Sequence, residues 1–118
     1  MYTPEIQRFV NYLEVERSFS AHTLRAYLSD LEQFCDYATN GPRAFERAPE
    51  EERPPASFEA LRRATRNDIR AFLAHVQTAG GTSRTSARKL AAIRAAYKFF
   101  VRSGELEDSP AASVKSPR

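Results

Sequence analysis

The 118-residue chain has one cysteine, two histidines and four glycines, and each shortage closes a class of function. The lone thiol of Cys35 has no partner for an internal disulfide and belongs to no CxxC, so disulfide-stapled and redox chemistry lack support. A reducing cytoplasm is the expected location. No metal cluster and no glycine-rich phosphate loop is spelled out, so neither a metal nor any other cofactor is expected. Long apolar runs are missing too. The opening MYTPEIQRFVNYLEVE carries acids where a signal peptide needs apolar residues, and no stretch reaches membrane-span length. A soluble protein without a membrane partner is expected.

One further absence is local. Between Thr82 and Ser103 there is no acid, although the segment carries Arg84, Arg88, Lys89, Arg94, Lys98 and Arg102. Acids gather earlier, at Glu46, Glu50, Glu51, Glu52 and Glu59. The net charge of +3 is mild, but its uneven distribution makes the molecule electrically lopsided.

Hydrophobic spacing supplies the fold. Ile6, Phe9, Val10 and Leu13 recur at helical intervals behind Thr3 and Pro4, which suit a cap and a first turn. Ser20 caps a second predicted helix whose stripe is Leu24, Tyr27, Leu28, Leu31, Phe34, Cys35 and Ala38, stopped by Asn40-Gly41-Pro42. Residues 41–57 combine four prolines with an acidic run and show no amphipathic period, so a mobile, solvated loop is expected. Phe58 and Leu61 suggest a short turn, and Thr65 with Asp68 a capping box opening a third helix over Ile69, Phe72, Leu73 and Val76, ended by Gly80-Gly81. A fourth helix runs from Thr82 or Ser83 to about Ser103. Because no run alternates apolar and polar residues, the expected fold is an all-α bundle of four to five helices. It occupies residues 1–108, with the small, proline-punctuated segment 109–118 as a linker.

At 100° per residue, Ser86, Leu90, Ile93, Tyr97, Phe100 and Val101 face the core from the fourth helix. Arg84, Arg88, Ala91, Ala95, Lys98 and Arg102 lie opposite, and Arg94 falls toward the core flank, where it could hold the domain together. Cations bracketing small alanines suit a DNA groove, where arginine can reach guanine edges and other cations neutralise phosphates. Charge pattern alone leaves equally open a solvated face whose arginines aid solubility or pair with acids elsewhere in the fold. On the second helix His22, Thr23, Arg25, Ala26 and Ser29 form a short, polar outer surface near the N-terminus, suited to phosphate contact.

Two stretches then act together. FSAHTLRAYLSDLEQFCDYA, with Ser20, Thr23, Tyr27, Asp30 and Leu31 in a Ser-x-x-Thr-x-x-x-Tyr-x-x-Asp-Leu pattern, and TSARKLAAIRAAYKFFVRSGELEDSPAASVKSPR, ending in Ser109-Pro110 and Pro117-Arg118, closely resemble the N-terminal core-binding, SAM-like domain of Xer-type tyrosine site-specific recombinases. The resemblance implies a helical domain that clamps one face of a recombination half-site in double-stranded DNA, its second and fourth helices crossed at the major groove. Carried over by position, the contacts are His22, Thr23, Arg25, Ala26, Ser29, Arg84 and Arg88, with Lys98 as a further candidate.

The family's chromosome dimer resolution, its role in cell division and its tetrameric synapse are implied in the same way. Ile6, Phe9, Val10 and Leu13 would then face either their own bundle or a neighbouring protomer. In such recombinases a C-terminal domain supplies the tyrosine nucleophile and its arginine, lysine and histidine partners. Here Tyr27 and Tyr97 sit on apolar stripes, and Tyr2, Tyr12 and Tyr37 have no such partners, so this chain is expected to bind DNA without cutting it. The competing expectation is a helical adaptor whose basic face docks on an acidic protein.

Overall fold

A computed structural model describes residues 2–48 and 51–115, and every regular element among them is helical. Helix α1, Pro4–Asn11, starts as its sequence requires. Thr3 Oγ1 accepts the Ile6 amide hydrogen bond, and Pro4 occupies the first turn, where its missing N–H costs nothing. The helix runs on into a π-helical turn, Tyr12–Glu16. Ile6, Phe9, Val10 and Leu13 are all buried in the chain's own core, so the neighbouring-protomer alternative does not apply to these four side chains.

Helix α2, Ala21–Asn40, is the centre of the bundle and packs against every later helix. Its stripe is buried as the spacing predicts at Leu28, Leu31, Phe34 and Cys35, and it stops where Gly41 takes a φ of 67°. Helix α4, Phe58–Arg63, leads into α5, Arg66–Thr78, whose start is the predicted capping box: Thr65 and Asp68 each accept the other's backbone N–H. The turn into α6, Ser83–Arg102, uses two glycines for two reasons. Gly80 has a φ of 96°, whereas a Cβ on Gly81 would lie 2.7 Å from both Val76 Cγ1 and its carbonyl oxygen.

The core is aromatic-rich. Phe34 and Phe72 meet edge to face at 5.4 Å between centroids, and Phe58 meets Phe100 in the same way at 4.9 Å. Tyr97, completely buried, donates its hydroxyl to the Leu61 carbonyl at 2.7 Å, which locks α6 onto α4. Burial pushes this phenol far above its ordinary range, and the Cys35 thiol is likewise pushed up to about 12 by burial. Neither group ionises at physiological pH.

Two stretches differ from their sequence-based description. Within residues 41–57, Arg43–Glu46 forms a short helix, α3, with Ala44 buried, and Ala56 is buried at the far end. Arg47 grips Asp36 of α2 side-on, Nε to Oδ2 at 3.0 Å and Nη2 to Oδ1 at 2.9 Å, while Asn40 donates to the same carboxylate at 2.8 Å. Burial raises the Asp36 carboxyl, but these hydrogen bonds outweigh it and hold the group below the ordinary carboxylate range. The segment is therefore tied down at several points along its described length.

The 109–118 segment is also packed as far as Val114. Ala111 and Val114 are buried, and the Arg94 guanidinium donates to both of their carbonyls. This is the domain-holding role that the position of Arg94 on the core flank allowed. Pro117 and Arg118 lie outside the described residues. No helix among the described residues is long and apolar enough to cross a membrane.

Candidate nucleic-acid interface

The two longest helices, α2 and α6, form the most extensive helix pair of the fold, and both begin with the same local device. Ser20 Oγ accepts the Thr23 amide at 3.1 Å, and Thr82 Oγ1 accepts the Thr85 amide at 3.1 Å. Each capping hydroxyl also hydrogen-bonds a second hydroxyl, that of Thr23 at 3.0 Å or Thr85 at 3.1 Å. The first turns therefore present hydroxyls and amide groups at the positive end of a helix dipole, the arrangement that receives phosphate oxygens.

Around these ends lie most of the residues read from the sequence. His22, Arg25 and Ser29 are exposed on α2, with Thr23 and Ala26 half-buried beside them. Arg84 is exposed in the first turn of α6 and has no ion pair among the described residues. Ala91 is exposed and Ala95 half-buried further along the same face, so the helix backbone is open to close approach there.

Arg88 is brought directly onto α2. Its Nε donates to Asp30 Oδ2 at 2.9 Å and its Nη2 to Asp30 Oδ1 at 3.0 Å, a side-on bidentate pair between residues 58 apart in the chain. Lys89 Nζ donates to the same Oδ1 at 2.9 Å. The carboxylate side chain is only 2% exposed and the lysine 11%, yet that of Arg88 is 50% exposed. The hydrogen bonds and negative charge of Asp30 raise the Arg88 pKa further, so its charge is permanent.

Sequence reasoning missed this triad. The absence of acids in α6 left pairing with acids elsewhere in the fold open but named no partner, and the partner is Asp30 of α2. A signal was present: Asp30 stands between the apolar-stripe positions Leu28 and Leu31, and a carboxylate drawn into a core requires a cation. Lys98 is separated from this site. It lies on α6 about 15 Å beyond Arg88, in a groove with Arg94, Arg102, Glu107 and Asp108.

The model of the family described as phage integrase, N-terminal SAM-like domain, matches residues 6–53 and 52–104. Among curated proteins, the chain is 31% identical over 114 residues to the tyrosine recombinase XerC of Roseiflexus castenholzii, covering 97% of this chain and 32% of that protein. It is 34% identical over 113 residues to XerC of Syntrophus aciditrophicus, covering 96% and 34%. With the tyrosine recombinase XerD of Listeria monocytogenes it shares 28% identity over 113 residues, covering 96% and 33%. The chain thus spans about a third of the length of these relatives. No solved structure matches it. Two matched segments along one helical bundle, joined to recombinase relatives that align over nearly all of its residues, place the chain in the N-terminal SAM-like domain family of phage integrases, in its Xer-type tyrosine recombinase branch.

Proposed function

We propose that this chain is the DNA-binding module of a Xer-like tyrosine recombinase and grips one face of a recombination half-site with the outer faces of α2 and α6. The observation that carries the reading is the half-exposed Arg88, fixed onto α2 by the buried Asp30 one turn along α6 from the exposed Arg84. Arg84, Arg88 and Arg25 supply cations for phosphates and base edges, while Thr23, Ser29 and His22 supply shorter hydrogen-bonding groups. Ala26 lets the α2 backbone approach. Lys98 serves an outlying backbone contact in this scheme.

The chain itself performs no strand cleavage. Tyr97 is consumed by the core, and a C-terminal catalytic domain would supply the nucleophile for exchange through a phosphotyrosyl intermediate. Site-specific recombination of the chromosome dimer resolution type, during cell division in the cytoplasm, is the corresponding role of the whole protein. Its working form would be a tetramer on paired sites. With Ile6, Phe9, Val10 and Leu13 committed to the core, a protomer contact through the first helix would use Val15, which is 76% exposed, together with Tyr12 and Phe99.

Fluorescence anisotropy on a short duplex across a salt series tests the binding. The native domain is expected to bind with roughly 10⁻⁴ to 10⁻⁶ M affinity and to weaken steeply with salt. An Arg84→Ala, Arg88→Ala double variant of confirmed folding is expected to bind more weakly, with a shallower salt slope. No duplex binding by the native domain even at low salt would overturn the reading and favour a protein-docking adaptor.

A further inference from the structure

The geometry of the Asp30 triad points to a division of labour that deepens the DNA-binding reading and rests on it. An arginine has five N–H donors in a planar fork. Asp30 engages one side of that fork, through Nε and one hydrogen of Nη2. The end of the fork, both hydrogens of Nη1 and the second of Nη2, makes no hydrogen bond among the described residues and lies on a side chain that is half exposed. An end-on Nη1/Nη2 pair is the edge that can donate two parallel hydrogen bonds to the O6 and N7 acceptors of a guanine. Asp30 therefore occupies the edge that such recognition does not need.

A free arginine would spread its guanidinium over many rotamers and lose most of that freedom on binding. Here the cost has been met during folding, because the carboxylate that holds the fork is itself buried on α2 and cannot swing away. A single acid would also cancel the charge that draws the fork to DNA. Lys89, buried against the same carboxylate, supplies a compensating cation and leaves the triad with one positive charge over. We infer that Asp30 is a positioning residue that aims the outer edge of Arg88 at a guanine, and that Lys89 is a buried counter-charge that keeps the aimed fork cationic.

The inference separates two quantities that a purely structural salt bridge would move together, namely base preference and general duplex affinity. The test selects from a pool of short duplexes with a randomised centre, and measures salt-dependent anisotropy on one fixed mixed-sequence duplex. The chains compared are the native domain and its Asp30→Asn, Arg88→Lys and Lys89→Met variants, each checked by circular dichroism and thermal melting. The native domain should prefer guanine by roughly 5- to 100-fold at one position, the range that a good bidentate pair provides. That preference should fall below about twofold in Asp30→Asn, while affinity for the fixed duplex is undiminished or rises.

Arg88→Lys keeps the charge on a half-exposed side chain but replaces the planar fork by a point charge, so it remains decisive if Asp30→Asn does not fold. It should lose the same guanine preference with little change in salt slope. Lys89→Met should keep the preference and weaken binding to the fixed duplex, most clearly at low salt where a long-range charge is least screened, although the side chain is buried away from any ligand. A folded Asp30→Asn or Arg88→Lys domain that retains the native guanine preference would overturn the inference. So would a native domain that binds duplex with no base preference, an outcome that leaves the DNA-binding reading intact. Failure of the native domain to bind any duplex would instead remove that reading, and the inference with it.

Discussion

Helix α2 carries two buried carboxylates about 9 Å of helix apart, and the chain treats them differently. Asp36 receives Arg47 side-on through Nε and Nη2, and Asp30 receives Arg88 through the same two nitrogens. Beyond that the two sites diverge. The remaining Nη1 of Arg47 faces Glu51 Oε2 at 3.5 Å, Arg43 Nη2 reaches the same oxygen at 3.2 Å, and Arg47 is only 14% exposed. Two acids there meet two arginines by hydrogen bonds, and Arg53 adds a further favourable charge near Asp36. At Asp30 a second cation enters from below, no acid meets the outer edge of Arg88 among the described residues, and that side chain is half in water. One motif thus serves as a closed clasp on a loop and as an open mount for a side chain that has an outward task.

The contrast can be broken most severely at the clasp. Asp36→Ala removes the acid from beneath a partly buried guanidinium and frees the α3 segment. A melting temperature lower by roughly 10 °C is expected, with duplex affinity of the folded domain unchanged, as measured by thermal melting and anisotropy. A loss of duplex affinity in parallel would erase the distinction between the two sites.

A smaller effect is expected with acid. The Asp36 carboxyl is held below its ordinary value, so its contribution is complete above the unfolded value of about 3.9 and disappears as pH falls through the lower folded value. The difference in melting temperature between the native domain and Asp36→Asn should therefore stay level from neutral pH to about pH 4 and narrow below it. The smallest effect belongs to the rim of the clasp. Glu51 is well exposed, and Glu51→Gln should shift the melting temperature by no more than about 2 °C.

The bundle was legible in the sequence wherever large apolar side chains recur at helical spacing, as at Leu28, Leu31 and Phe34 or Leu90, Ile93 and Tyr97. It was illegible where burial falls to single small residues. Ala44, Ala56 and Ala111 are buried, but isolated alanines among prolines and charges make no period. For that reason residues 41–57 and 109–115 read as solvated chain. The candidate site shows the same division. The exposure of Arg25, Ser29 and Arg84 follows from helical phase alone, whereas the pairing of Arg88 with Asp30 spans 58 residues and depends on how α2 and α6 cross. Phase also put Lys98 on the face of Arg84 and Arg88, but a face shared along a 20-residue helix is no guarantee of a shared site.

The Arg94 tether gives the domain a defined load path. Because its guanidinium holds the carbonyls of Ala111 and Val114 while both side chains are seated in the core, tension applied beyond Val114 meets resistance at the middle of α6. The turn at Ser103 and Gly104 is shielded from it. Residues 105–114 are closed by hydrogen-bonded turns, Ala112 to Ser109 and Val114 to Ala111, and anchored by Arg94, so a pull would reach the helix that carries Arg84 and Arg88 before the chain between these turns and Ser103 paid out.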